Sequence, residues 1–223
     1  MGGSEVADPD SNSGALSVRD RLLAEASRLF AANGYHQTST REIAAASDVE
    51  LSTLFHHFAS KAEMINAMLK HDLGAAVAAA EGQLKRSGSP AGRLYCYLIE
   101  DIGLASRSPY AVGVNATSGL LRELDFAGAR ARSQRLTDAR VAMIREGIEA
   151  GEFVEVDPDS ASRAIEWTIE GSLAEMAGGR TEDPDLLARQ IADLCLRSLV
   201  VDAAALARVQ RDFPAPADQD RSS

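Results

Sequence analysis

Residues 38–58 read TSTREIAAASDVELSTLFHHF, and the fold turns on how this stretch is organised. Ser39 with Glu42 three residues later is an S-x-x-E capping box, in which hydroxyl and carboxylate satisfy free amides at a helix start. Ile43 and Ala44 put apolar atoms on one face, and Ala45 and Ala46 keep the helix narrow. Ser47-Asp48-Val49 breaks the pattern, and Asp tolerates the left-handed conformation of a tight turn better than most residues. Residues 50–57 then form a second helix of about two turns. Its apolar side is Leu54 with Phe58, which leaves Leu51, Ser52, Thr53, Phe55, His56 and His57 for the other faces. So short a helix is not stable alone and needs a scaffold. An exposed, polar-tipped helix held by a scaffold is what reading the major groove of DNA requires.

The flanking sequence supplies that scaffold. Ser17-x-x-Asp20 caps a first helix whose stripe is Leu22, Ala26, Leu29 and Phe30. Asn33-Gly34 ends it, with the glycine suited to the left-handed position past a helix end. Ser60-x-x-Glu63 is a second capping box and opens a long helix through Met64, Ile65, Met68, Leu69 and Leu73.

Residues 19–70 resemble the DNA-binding domain of the tetracycline-repressor (TetR-like) family of bacterial regulators. The residues that carry the resemblance are Leu29-Phe30, Gly34-Tyr35, Thr38-Ser39-Thr40, Ile43-Ala44, Val49, Thr53-Leu54, His57-Phe58 and Ser60-Lys61. Beyond residue 70 the likeness is one of length and helical layout. The resemblance implies DNA contacts from Thr40, Arg41, Leu51, Ser52, Thr53, Phe55, His56, His57 and Lys61. Arg41 and His57 are expected to reach bases or phosphates, and Thr40, Ser52, Thr53, His56 and Lys61 the backbone or groove edge. Four positions depart from the family. Asp48 replaces a usual glycine, and Glu50 an often-found serine. Phe55 stands for a tyrosine whose hydroxyl would reach a phosphate, so ring packing is kept and the hydrogen bond lost. Leu51 offers apolar contact to a thymine methyl in place of a polar one. For the histidine pair, a solvated helix face is the competing reading. A metal site is not expected, because adjacent helical residues point about 100° apart.

Composition is less decisive. The 223 residues suffice for one or two domains with a sizeable core. The chain carries 23 Lys/Arg against 33 Asp/Glu, a net charge of −10, which runs against the basic balance of most nucleic-acid binders. Residues 18–72, however, hold six Lys/Arg against seven Asp/Glu, so this segment contributes −1 and the remainder −9. Binding would therefore depend on a local surface and weaken with salt. Cys96 and Cys195 fall in apolar helical patterns without metal or disulfide spacing and read as buried free thiols. The first 17 residues lack the basic start and apolar core of a signal peptide, and no apolar run approaches a membrane span of about 20 residues. A soluble, cytoplasmic protein is expected.

The rest of the sequence reads as helices. Ser89-Pro90, Asp157-Pro158 and Asp183-Pro184 are cap-plus-proline starts. The first opens a helix through Leu94, Tyr95, Leu98, Ile99 and Ile102 that Ser108-Pro109 stops; the other two open helices over about 158–177 and 184–206. Residues 110–125 are less regular, and the long helix after them ends at Gly151. The expectation is an all-α chain: a disordered tail at 1–16, a helix-turn-helix DNA-binding domain at 17–60, a helical effector-binding and dimerisation domain at 61–208, and a disordered tail at 209–223.

The last two helices carry Ala164, Thr168, Gly171 and Ser172 on one, and Leu187, Ile191, Leu194, Cys195, Ser198 and Leu199 on the other. A stripe alone fits ordinary core equally well. The family resemblance makes these residues the interface of a two-fold dimer, able to read two half-sites together. It also implies a small-molecule pocket. The large side chains available to line it are Tyr95, Tyr97, Phe126, Met143, Trp167 and Met176, with Glu100, Asn115 and Glu166 as polar groups. The expected function is a repressor that binds a palindromic operator as a homodimer and is released by an effector, with no cofactor, no metal and no catalytic residues. The alternatives are an activator of the same family, or an all-α dimeric small-molecule-binding protein whose reading head has lost DNA. An enzyme is disfavoured because no phosphate loop, nucleophile elbow, zinc motif or paired carboxylates stand out.

Overall fold

The computed structural model describes residues 16–110, 127–177 and 183–213, and within them every regular element is a helix. The order is α1 (Val18–Asn33), α2 (Thr40–Ala46), α3 (Leu51–His57), α4 (Lys61–Leu84), α5 (Pro90–Ser106), α6 (Ala127–Glu149), α7 (Pro158–Ala177), α8 (Pro184–Arg197) and α9 (Ala203–Asp212). The expected 110–125 stretch and the first tail lie almost wholly outside the described residues. No described helix is long and apolar enough to cross a membrane.

The expected starts are made by local side-chain chemistry except at α3, where Glu50 makes no capping hydrogen bond. Ser17 accepts from the Asp20 amide at 3.1 Å and Ser60 from the Glu63 amide at 3.2 Å. In the capping box of α2, Ser39 Oγ accepts from the Glu42 amide at 3.2 Å while Glu42 accepts from the Ser39 amide at 2.7 Å. Ser89 and Asp183 cap α5 and α8 with proline in the first turn, and Asp157 accepts from the Ser160 amide ahead of α7. Gly34 ends α1 at φ +82°, and Asp48 makes the turn between α2 and α3 at φ +53°.

Two cores form. Leu22, Leu23, Ala26 and Phe30 of α1 close on Ile43, Leu54 and Phe58, and the first half of α4 completes that cluster with Met64, Ile65 and Met68. The second half of α4 gives Ala76, Val77 and Ala80 to a larger core built with α5 to α9. At 24 residues, α4 is about 36 Å long and belongs to both. The head core thus runs past residue 60, and it also takes in Tyr110 and Ala129 from the other side of the chain.

One sequence expectation fails here. The helix that opens at Asp183-Pro184 stops at Arg197, not near 206. Val200 and Val201, β-branched and disposed to extended backbone, pair with the turn after α6: Val154 N donates to Leu199 O at 2.8 Å and Val201 N to Glu152 O at 3.2 Å. Asp202 then caps a new helix by accepting from the Ala205 amide at 2.7 Å. The start of the expected tail is correspondingly ordered. α9 buries Ala205, Leu206 and Val209, and Phe213 lies so close to Gly92 that a Cβ there would meet its ring at 2.2 Å.

Candidate nucleic-acid interface

A seven-residue helix cannot hold itself, and α3 is held by one fully buried side chain, Leu54, with Phe58 buried directly after it. The Arg19 guanidinium lies 4.9 Å from the centre of the Phe58 ring and covers its outer side. With its anchors spent on Leu54 and Phe58, α3 leaves Ser52, Phe55 and His56 exposed and Leu51, Thr53 and His57 half-buried. Arg41 is exposed and Thr40 half-exposed at the start of α2. The His56 and His57 rings meet edge to face with centroids 5.4 Å apart. Ser52 Oγ donates to Glu50 at 3.3 Å across the first turn. The structure therefore brings eight of the nine expected contact residues onto one helix-turn-helix unit, with Leu51 partly packed against the head core.

Two of the nine behave differently from the expectation. Lys61 turns inward: its ammonium donates to the carbonyls of Tyr35 at 2.7 Å and Thr38 at 2.6 Å and sits over the Tyr35 ring at 4.5 Å. Desolvation lowers its pKa, against the partial opposition of Glu42. It ties α4 to the turn before α2. The Phe55 ring is not packed; it stands 50% exposed and joins neither core.

A helix of these dimensions with this outward face fits the width of a major groove, and the comparisons bear on the same residues. Residues 22–68 match the family model described as bacterial regulatory proteins, tetR family. A transcriptional repressor of Mycolicibacterium smegmatis, KstR2, is 29% identical over 165 residues, covering 72% of this chain and 80% of that protein. In its reading head the chain is TetR-like. The crystal structure of AmtR from Mycobacterium smegmatis aligns at 27% identity and a TM-score of 0.73 over 92% of this chain and 99% of that one. That of PfmR, a TetR-family transcriptional regulator from Thermus thermophilus, aligns at 28% and 0.70 over 79% and 97%. The match with KstR2 extends beyond the head, and the chain is a DNA-binding transcriptional regulator.

The expected pocket residues are only partly brought together. Tyr95 is buried and donates to Asp193 at 2.9 Å, and Met143 is fully buried core. Glu100 is exposed and accepts from Gln83 at 3.5 Å. Trp167, expected to line a pocket, is 68% exposed. Asn115, Phe126 and the side chain of Met176 lie outside the described residues.

Two others, Tyr97 and Glu166, meet in a buried polar cluster around Arg140, a residue that the sequence reading did not single out. Arg140, 3% exposed, donates to Ser162 at 3.1 Å, to Tyr97 at 3.2 Å and to Glu166 at 2.9 Å. Tyr97 in turn donates to Asp101 at 2.9 Å. Desolvation pushes the Asp101 carboxyl up, against Tyr97 and Arg140, which pull it down. The available signal was an arginine on an apolar stripe, with Leu136 four residues before and Met143 three after.

The expected dimer residues divide by exposure. Leu194 and Ser198 are exposed, as are Ala164 and Gly171. Thr168, Leu187 and Ile191 are half-buried, while Ser172 and Cys195 are buried within the chain. Burial pushes the Cys195 thiol up to about 11, and Cys96 is half-buried with its thiol also raised.

Proposed function

We propose that this regulator is a cytoplasmic, non-catalytic repressor that binds a palindromic operator as a homodimer and leaves it when a small molecule occupies the helical domain. The observation that carries this reading is α3, which is anchored by Leu54 and leaves Ser52, Phe55 and His56 exposed, with Thr53 and His57 half-exposed. In this reading Arg41 and His57 reach bases or phosphates. Thr40, Ser52, Thr53 and His56 meet the backbone and groove edge, and Leu51 and Phe55 offer apolar contact to thymine methyls. The exposed faces of α7 and α8 pair two copies, so that two reading helices address two half-sites.

Release works through α4, which is shared between the two cores. Ser108 Oγ donates to Asp72 on α4 at 2.9 Å, and Tyr110, edge-on to His71 at 5.1 Å, is buried in the head core. A shift in the effector domain is thus felt at the head through packed contacts. An effector acts only to the extent that it binds the released arrangement more tightly than the bound one. The buried Arg140 cluster gives the helical domain fixed polar groups of the kind that orient ligands.

In vitro selection of genomic DNA fragments by the purified protein tests the reading, with the double variant Arg41→Ala/His57→Ala as control. A shared palindromic site that the control loses is the expected result. Equal enrichment by parent and control would overturn the contact assignment.

A further inference from the structure

Trp167 is the chain's one tryptophan, and it stands 68% exposed on α7. An indole left in water forgoes the burial of roughly 150–250 Å² that aromatic side chains ordinarily achieve. Along the same face lie Ala164, three residues before, and Gly171, four after, both small and exposed. Beside them a groove of 570 Å³ runs between α7 and α8, with buried Ile165 and Leu199 in its lining and exposed Leu194 at its side. Asp157 is the one charged residue in that lining. The indole does not enter its own chain's groove.

We infer that Trp167 of one protomer seats in the α7–α8 groove of its partner, and that the partner's indole fills the groove of the first. This rests on the homodimer reading above. A two-fold interface is self-complementary, so knob and socket must both lie on one face of the same chain. Here Ala164 and Thr168 belong to the socket wall and flank Trp167 in sequence. Two chains of net charge −10 repel, and the groove offers the indole a lining with one charged residue, Asp157. A buried aromatic in a pocket of small and apolar side chains is the usual make-up of an interface hot spot. Seating the indole also covers Leu194, 58% exposed in the single chain.

Because Trp167 is the sole tryptophan, its fluorescence reports the contact directly. The experiment follows emission and acrylamide quenching of the full chain across a dilution series, with mass from sedimentation at each concentration. Two variants, Trp167→Ala and Ala164→Phe, remove the knob and block the socket; both positions are exposed, and circular dichroism checks that helix content is kept. The expected result is a quench-protected indole at dimer mass that becomes accessible as the dimer dissociates. Each variant should raise the dimer dissociation constant at least about 30-fold. A dimer whose indole quenches freely and whose variants dissociate like the parent overturns the socket and leaves the homodimer standing. A protected indole at monomer mass also overturns it, since the chain would then cover its own tryptophan. A monomer at every concentration with an accessible indole overturns the homodimer and the socket together.

Discussion

Lys61 Nζ donates to the carbonyl of Tyr35 at 2.7 Å and lies 4.5 Å from the centre of the same residue's ring. One ammonium thus fixes both backbone and side chain of the turn that precedes α2, and a second bond at 2.6 Å holds the Thr38 carbonyl. Lys61→Met keeps the aliphatic stem and removes the donors. It should destabilise the reading head by about 1–2 kcal/mol, read as a lower denaturant midpoint with an unchanged slope. If Lys61 instead served mainly as a phosphate contact, stability would hold and the salt dependence of operator binding would fall.

Arg41 and His57 lie on the outer surface of the helix-turn-helix with no part in either core. Arg41→Ala and His57→Ala should each weaken operator binding by about 1–3 kcal/mol if the contact is to a base edge. A phosphate contact would show instead as a smaller slope of log affinity against log salt, by about one unit. Helix content and dimer mass should match the parent in both variants. Binding titrations at several salt concentrations separate the two cases.

The Ser39 amide and hydroxyl hold the Glu42 carboxyl below its ordinary 4.5. A depressed carboxyl stabilises the fold above its unfolded pKa and loses that contribution as pH falls through the folded value. The difference in melting temperature between parent and Glu42→Ala should therefore be full at neutral pH and shrink as pH drops below 4.5. A difference that stays constant into acid would assign the effect to helix propensity, not to the charged cap.

Leu206 is 4% exposed in α9 and packs in the large core. Leu206→Ala should cost about 2–5 kcal/mol, the usual range for a buried leucine, measured by chemical denaturation. No loss would mean that the segment after residue 202 does not pack in solution.

The reading head was legible because its signals are local. Ser17, Ser39, Ser60 and Asp48 act on backbone within three or four residues, so the capping pattern gives helix starts and the turn without knowledge of the neighbours. The same holds for the cap-plus-proline starts of α5, α7 and α8. The Pro- and Asp-rich composition at the end of the chain hid α9, whose cap Asp202 and stripe Ala205, Leu206 and Val209 are equally local.

What the sequence by itself determined is the all-α order, the family resemblance of residues 19–70 and the outward residues of α3, since helical periodicity assigns faces once one anchor is known. Tertiary structure decided which apolar stripe meets its own chain and which meets solvent. Trp167 and Met143 are both large and apolar in sequence, yet one is 68% exposed and the other fully buried. It also decided the acceptors of Lys61, 23 and 26 residues upstream, and the partners of Arg140, up to 43 residues away. Such contacts join distant segments whose meeting is set by the packing of whole helices, and no spacing along the chain encodes them.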